Sequence, residues 1–202
     1  MSRTRQREQS EAVRRRILDT ARDIIAREGL EALSIRRVTK EMDYSPGTVY
    51  HYFESKDQLL LRVMEEGYQR ILAQVQPQAL DSPPDEAIRR AILRYIEGIL
   101  ACPEEYKVFL LSASPQILAM TSVLAEDATL KRPALQHLAE AVEAGVSAGL
   151  FAPCDARVTA QAMWASVFGL LSRLMIEGNV SPDQRQRLID RQLQLLMKGL
   201  YV

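Results

Sequence analysis

The chain of 202 residues has two cysteines, two histidines, one tryptophan and no surplus of either charge: 26 Lys+Arg stand against 26 Asp+Glu. Each scarcity excludes something. Cys102 and Cys154 cannot build a disulfide framework and are too far apart for a CxxC motif, so a reducing compartment is expected. With only His51 and His137, a histidine-rich metal site is not available, and no HExxH, phosphate-binding glycine loop, dinucleotide fingerprint or ExxH spacing is present. Long apolar runs are missing as well. The most apolar stretch, Met163 to Ile176, is broken by Arg173 and falls short of the ~18 residues that read as a membrane span. The start, MSRTRQREQSEAVRRR, is basic but leads into no apolar segment, so no secretory signal is expected. The balanced charge itself argues against nucleic acid, since phosphate binding usually leaves a basic excess.

What is present is helical punctuation. Hydrophobic residues make up 47% of the chain, an ordinary globular share. Nine prolines interrupt runs whose apolar residues recur at helical spacing, and no hairpin turn or alternating run appears, so the fold class expected is all-α. Helices are predicted over 8–28, from Ser34 through Met42, from Ser45 to about Phe53, and over 56–76. Beyond a loop at DSPPDE follow 84–101, 103–112, 115–127, 133–148, 155–178 and 182–198. Ser34 and Ser45 sit where N-caps belong, Pro46 takes a first helical position, Ser55 with Gln58 has capping-box spacing, and Gly29 marks a C-terminus.

Two short helices about a tight turn of about three residues match a helix-turn-helix, whose second helix enters the DNA major groove by its N-terminal end. That end carries Pro46, Gly47, Thr48, Tyr50 and His51. Gly47 allows close backbone approach, Thr48 offers a hydroxyl and a methyl, and tyrosine hydroxyls reach phosphate. Cations also stand where the helix macrodipole disfavours them: Arg36 and Arg37 in one first turn, Lys56 at the start of the next helix. A DNA phosphate would compensate them; the alternative is that Arg37 pairs with Glu41 one turn on and Lys56 is only solvated.

On these residues a resemblance rests. The run LSIRRVTKEMDYSPGTVYHYFESKDQLL, residues 33–60, resembles the DNA-binding signature of the tetracycline-repressor (TetR) family of bacterial transcription regulators. The matches are Ser34, Val38, Ser45, Gly47, Thr48, Tyr50, Tyr52, Phe53, Ser55, Lys56 and Leu59-Leu60. The resemblance implies a helix-turn-helix DNA-binding domain over 1–55 and a helical effector-binding and dimerisation domain over 56–202. It implies that Arg36, Pro46, Gly47, Thr48, Tyr50, His51 and Lys56 meet double-stranded operator DNA, with Ile35, Val49 and Phe53 as core. Two departures stand out: Met42, Asp43 and Tyr44 replace the usual Ala-Gly-Val of the turn, and Thr39 replaces an alanine. Asp tolerates the left-handed conformation, so the turn should survive.

The resemblance further implies a cytoplasmic homodimer, nucleoid-associated when DNA-bound, paired through the last two helices with Ala160, Met163, Trp164, Val167, Phe168, Leu171 and Leu174 on one and Leu188, Ile189, Leu193, Leu196 and Met197 on the other. A small apolar or amphipathic inducer is expected among Met64, Tyr68, Tyr95, Tyr106, Phe109, Met120 and Trp164. Repression relieved by that inducer is the expected action, with no cofactor, no metal and no membrane. Ahead of the first predicted helix, Arg3, Arg5 and Arg7 form an arm, and Arg14 to Arg16 follow; they either track the DNA or are solvated. A constitutive DNA-binding dimer tuned by a protein partner is the alternative within this class. Outside it stands a helical enzyme or scaffold with an incidental motif. The enzyme reading has one string behind it, G-x-S-x-G at Gly145 to Gly149, but both histidines precede the serine and the string lies in a helical run, so no enzyme is expected. The zero net charge is an average: residues 1–62 hold 13 basic and 10 acidic side chains, residues 63–202 hold 13 and 16.

Overall fold

Pro46, Pro84, Pro103, Pro133 and Pro182 open helices as expected in the computed structural model, which describes residues 2–74, 82–111, 115, 119 and 122–202. The helices are α1 (Ser2–Glu28), α2 (Ile35–Met42), α3 (Pro46–Tyr50), α4 (Lys56–Gln74), α5 (Pro84–Ala101), α6 (Pro103–Leu111), α7 (Ala128–Lys131), α8 (Pro133–Ser147), α9 (Ala156–Glu177) and α10 (Pro182–Lys198). A 3-10 turn at Leu30–Ala32 joins α1 to α2. Among the described residues there is no strand, only an isolated bridge between Phe151 and Tyr201, so the chain is all-α. No helix there is long and apolar enough to cross a membrane.

The chain divides into two compact units. The first holds Met1–Gln69 and Glu104–Met120. Its core gathers Ile17, Leu18, Ala21, Ile24 and Ile25 from α1 around Val38 and Met42 of α2, Val49 of α3 and Phe53. Ile35, Val49 and Phe53 are buried as the resemblance implies. The second unit holds Arg70–Pro103 and Thr121–Val202. There α8 packs against both α5 and α9, burying Ile88, Ile92, Ile96 and Ile99 with Leu135, Leu138 and Val142.

Three expectations need correction. The basic arm is not separate from the first helix: α1 starts at Ser2, six residues before the predicted start, because TRQREQSEA contains no glycine or proline and is rich in good helix formers. The expected 115–127 helix falls largely outside the described residues, and its end, 122–127, is not helical. The Gln161 amide on α9 donates to the Val123 and Ala125 carbonyls at 2.9 and 2.8 Å, taking acceptors a helix would use itself. α7 follows instead. Finally, most apolar residues named on α9 and α10 for pairing with a second copy face inward: Ala160, Met163, Trp164, Val167, Leu171, Leu174, Ile189, Leu193 and Met197 are buried within the unit itself.

The G-x-S-x-G string ends α8. Gly149 takes φ +70°, while Leu150 and Phe151 donate to the Gly145 carbonyl at 2.9 and 3.1 Å. It is a helix terminus rather than a strand-to-helix corner.

Candidate nucleic-acid interface

Short-range capping sets the geometry of α2 and α3. Ser34 is extended, and its Oγ accepts from the Arg37 amide at 3.1 Å, opening α2. The Thr39 carbonyl then closes the helix by accepting from the amides of Asp43 and Tyr44. Asp43 sits at φ 56°, ψ 42°, the left-handed conformation where glycine is usual. The turn survives the substitution as expected. Ser45 restarts the chain: its Oγ accepts from the Thr48 amide at 3.3 Å and lies 3.0 Å from the Thr48 hydroxyl, with Pro46 pre-set at the first position. Val49, fully buried, anchors α3 from beneath.

With the inner face fixed, the outer face follows. Arg36, Pro46, Gly47, Tyr50 and His51 are exposed, Tyr50 by 53%, while Thr48 and Lys56 are half-buried. A Cβ built on Gly47 would meet only Ser45 Oγ, at 3.7 Å. The fold therefore has room for a side chain there. Lys56 opens α4, where Ser55 Oγ accepts from the Gln58 amide at 3.1 Å and Gln58 Oε1 accepts from the Glu54 amide at 2.6 Å. The seven sequence-derived residues thus lie on α2, α3, the turn after α3 and the start of α4, within one unit.

α1 braces this surface from behind. The Ser10 hydroxyl donates to Tyr52 Oη at 3.4 Å, the Arg14 guanidinium lies 5.8 Å from the Phe53 ring centre, and that of Arg16 lies 5.6 Å from the Tyr44 ring centre. Tyr44, on the turn itself, is accordingly half-buried.

Arg37 is spoken for. It pairs with Glu41 at 3.1 Å, the alternative weighed from the sequence, and with Glu28 at 2.6 Å; Arg27 reaches the same two carboxylates at 2.5 and 3.4 Å. This ring of four charges ties the end of α1 to α2. Hydrogen bonding to Arg37 holds the Glu28 carboxyl below its ordinary value of 4.5. A carboxylate depressed on folding stabilises above its unfolded pKa, and that contribution disappears as pH falls through the folded value. The melting-temperature advantage of the wild type over Glu28→Gln should therefore be full near about pH 6 and vanish toward about pH 3. An advantage that grows on acidification would contradict the pairing.

Of the residues expected to line an inducer site, Tyr95 and Trp164 share a cavity among the described residues. Their ring centres are 4.4 Å apart, and Ala91, Ile92, Leu138 and Val167 complete an apolar lining in the second unit. Its volume is about 10 Å³, room for roughly one water. Met64, Tyr68 and Tyr106 are buried in the first unit. Met120 and the Phe109 side chain lie outside the described residues.

Comparison with known proteins bears on this surface. The model for bacterial regulatory proteins of the tetR family matches residues 17–63, which run from α1 through the first half of α4. The HTH-type transcriptional regulator UidR of Escherichia coli is 35% identical over 65 residues, 32% of this chain and 33% of that protein. The HTH-type transcriptional repressor KstR of Mycolicibacterium smegmatis is 39% identical over 67 residues, 33% of each. In these two matches the chain spans a third of the relative's length. A longer match, 24% identical over 152 residues, covers 73% of this chain and 76% of the uncharacterized HTH-type transcriptional regulator YhgD of Bacillus subtilis. Among solved structures, a bacterial regulatory protein in the tetR family from Rhodococcus superposes with a TM-score of 0.66 at 22% identity, covering 93% of this chain and 96% of that one. A TetR/AcrR-family transcriptional regulator from Thermobifida fusca gives 0.64 at 19% identity, with 93% and 98% covered.

Proposed function

The chain belongs to the bacterial regulatory proteins of the tetR family, and from that premise we propose that it is a DNA-binding transcriptional repressor acting on a palindromic operator as a homodimer. The observation that carries this reading is Gly47. The helix leaves space above it, so the missing side chain answers to something outside the chain, and a duplex backbone or base edge approaching α3 is what the position suits. Arg36, Pro46, Thr48, Tyr50, His51 and Lys56 surround it as contacts. Tyr50 and Lys56 are assigned to phosphate; Lys56, at the first turn of α4, adds its charge to the free amides there. In this reading residues 1–55 bind DNA and residues 56–202 regulate, in a cytoplasmic protein that joins the nucleoid when bound.

A second copy would pair through α9 and α10. Supporting this, Val158, Ala162, Ala165, Gly169 and Ile176 form an exposed stripe at helical spacing on α9, beside exposed Leu188 and Leu195 on α10. A Cβ on Gly169 would meet nothing within 4 Å. Small residues at such intervals let helices approach closely, as a four-helix bundle between subunits requires.

An apolar or amphipathic inducer at the Tyr95–Trp164 cavity would act through α4, which begins at Lys56, by changing the separation of the two recognition helices. The cavity must open to admit one. Its present volume of about 10 Å³ equally suits a constitutive DNA-binding dimer tuned by a protein partner. Thermal shifts with a panel of hydrophobic ligands separate the two.

The test of the main reading is binding to duplexes selected from a random-sequence library, followed across a salt series. Binding should weaken steeply with salt, and Lys56→Ala, which removes two phosphate contacts per dimer, should lower the slope by about 1.8. No retained duplex at low salt, or an unchanged slope, would sink the proposal.

A further inference from the structure

A groove between α5 and α10 in the second unit gathers three guanidinium groups and a single carboxylate, that of Asp190. Arg89 on α5 and Arg187 and Arg191 on α10 line an open groove of about 740 Å³, together with Gln184, Leu188, Asp190 and Gln194. Elsewhere on this unit, some basic side chains pair with the carboxylate one turn away, as Arg90 does with Glu86 and Arg173 with Glu177. Arg89 and Arg187 have the same opportunity and do not take it, and Arg191 has no carboxylate three or four residues away.

The carboxylates within helical reach are engaged elsewhere or directed elsewhere. Asp85, four residues before Arg89, accepts from the Tyr201 hydroxyl at 2.9 Å, and Glu86, three before it, is taken by Arg90. Asp190, three residues after Arg187, accepts from the Gln186 amide at 2.9 Å. Asp183, four residues before Arg187, stands in the first turn of α10, where the macrodipole favours a negative charge. Arg191 donates to the neutral amide oxygen of Gln194 at 2.7 Å. Among the described residues, then, none of the three guanidinium groups has a carboxylate partner, although residues 63–202 carry 16 acidic side chains against 13 basic.

We propose that this groove is a binding site for a small, multiply charged oxyanion, carboxylate or phosphate, held between α5 and α10. Guanidinium is the side chain suited to such a ligand, because its fork of donors meets two oxygens at once and it sheds water readily. Two helices contribute, so one occupant bridges them. Gln184 and Gln194 supply donors for oxygens the arginines leave free. The site is separate from the apolar Tyr95–Trp164 cavity in lining and chemistry, and it does not depend on the DNA reading.

Calorimetric titration of the full chain with citrate and with inorganic pyrophosphate tests it, with acetate as the monoanion control. The expected result is saturable binding of one or both multivalent anions at about one per chain, no saturation with acetate, and at least a tenfold loss of affinity in Arg187→Gln/Arg191→Gln and in Arg89→Gln. Citrate alone binding identifies a carboxylate site and pyrophosphate alone a phosphate site. All three arginines lie at the surface, and circular dichroism confirms that the variants fold. No saturable binding of either anion, or affinity unchanged by the substitutions, overturns the proposal. So does a change in the monomer–dimer equilibrium of the variants without any anion binding by the wild type, which would assign the arginines to carboxylates of a second copy.

Discussion

Gly47→Leu should fold as well as the wild type or slightly better and lose its DNA. The stability half follows from the chain alone. A Cβ at this position meets one atom, Ser45 Oγ, at 3.7 Å, which is ordinary contact, and the residue is exposed, so the rest of the side chain points to solvent. Leucine also favours a helix over glycine by about 0.7 kcal/mol. The binding half follows from the interface. A side chain at the second position of the recognition helix stands where the duplex must come closest, and each protomer of a dimer suffers it once. At about 1–3 kcal/mol per disrupted contact, the two copies cost about 2–6 kcal/mol, or roughly 30-fold to 10⁴-fold in affinity. Melting temperature and duplex affinity should therefore move in opposite directions. A variant that melts early would place the need for glycine inside the fold, and one that binds normally would remove α3 from the groove.

That separation of fold from function also explains what the sequence made legible. Ser34, Ser45, Ser55 and the prolines act on amides within three or four residues, so helix starts could be read in order along the chain, and the left-handed Asp43 could be anticipated from its own side chain. The exposed residues of α3 followed from the same local geometry. Misreadings share a different cause, contact between distant residues. Gln161 unmakes the expected helix at 122–127 from 36 and 38 positions away. The ring of Arg27, Glu28, Arg37 and Glu41 was visible only in its i,i+4 member. Aromatic and methionine residues cannot announce whether they line a cavity or fill a core: Met64, Tyr68 and Tyr106 are buried in one unit, while Tyr95 and Trp164 line a cavity in the other. On α9, apolar spacing marked the face turned inward. The exposed stripe proposed for a second copy sets the small Ala162, Ala165 and Gly169 between Val158 and Ile176, and a search for large apolar residues passes over its middle.

The largest stability effect should come from Gly145→Ala. Glycine here is required by space, not by φ: a Cβ would lie 2.0 and 2.1 Å from Cδ2 and Cε2 of Phe151, well inside any tolerable separation. Phe151 cannot swing clear. It is 1% exposed, its backbone bridges Tyr201, the following amide donates to the Leu200 carbonyl at 2.7 Å, and its ring meets Tyr201 edge-on with centres 5.7 Å apart. Overpacking of this kind costs about 3 kcal/mol, and for a chain of this size that lowers the melting temperature by roughly 10 °C. Combining Gly145→Ala with Phe151→Leu should cost less than the two single losses added together, since the smaller side chain makes room for the methyl. Ser147, the exposed centre of the same G-x-S-x-G string, gives the contrast. Ser147→Ala should leave both melting and DNA binding unchanged, because the fold makes demands on this string only at the glycine that Phe151 covers and at Gly149, whose φ of +70° ends the helix. Additive losses in the double variant would mean that the methyl meets some other obstacle, and the close packing of Phe151 on α8 would then not be what holds the carboxyl-terminal segment in place.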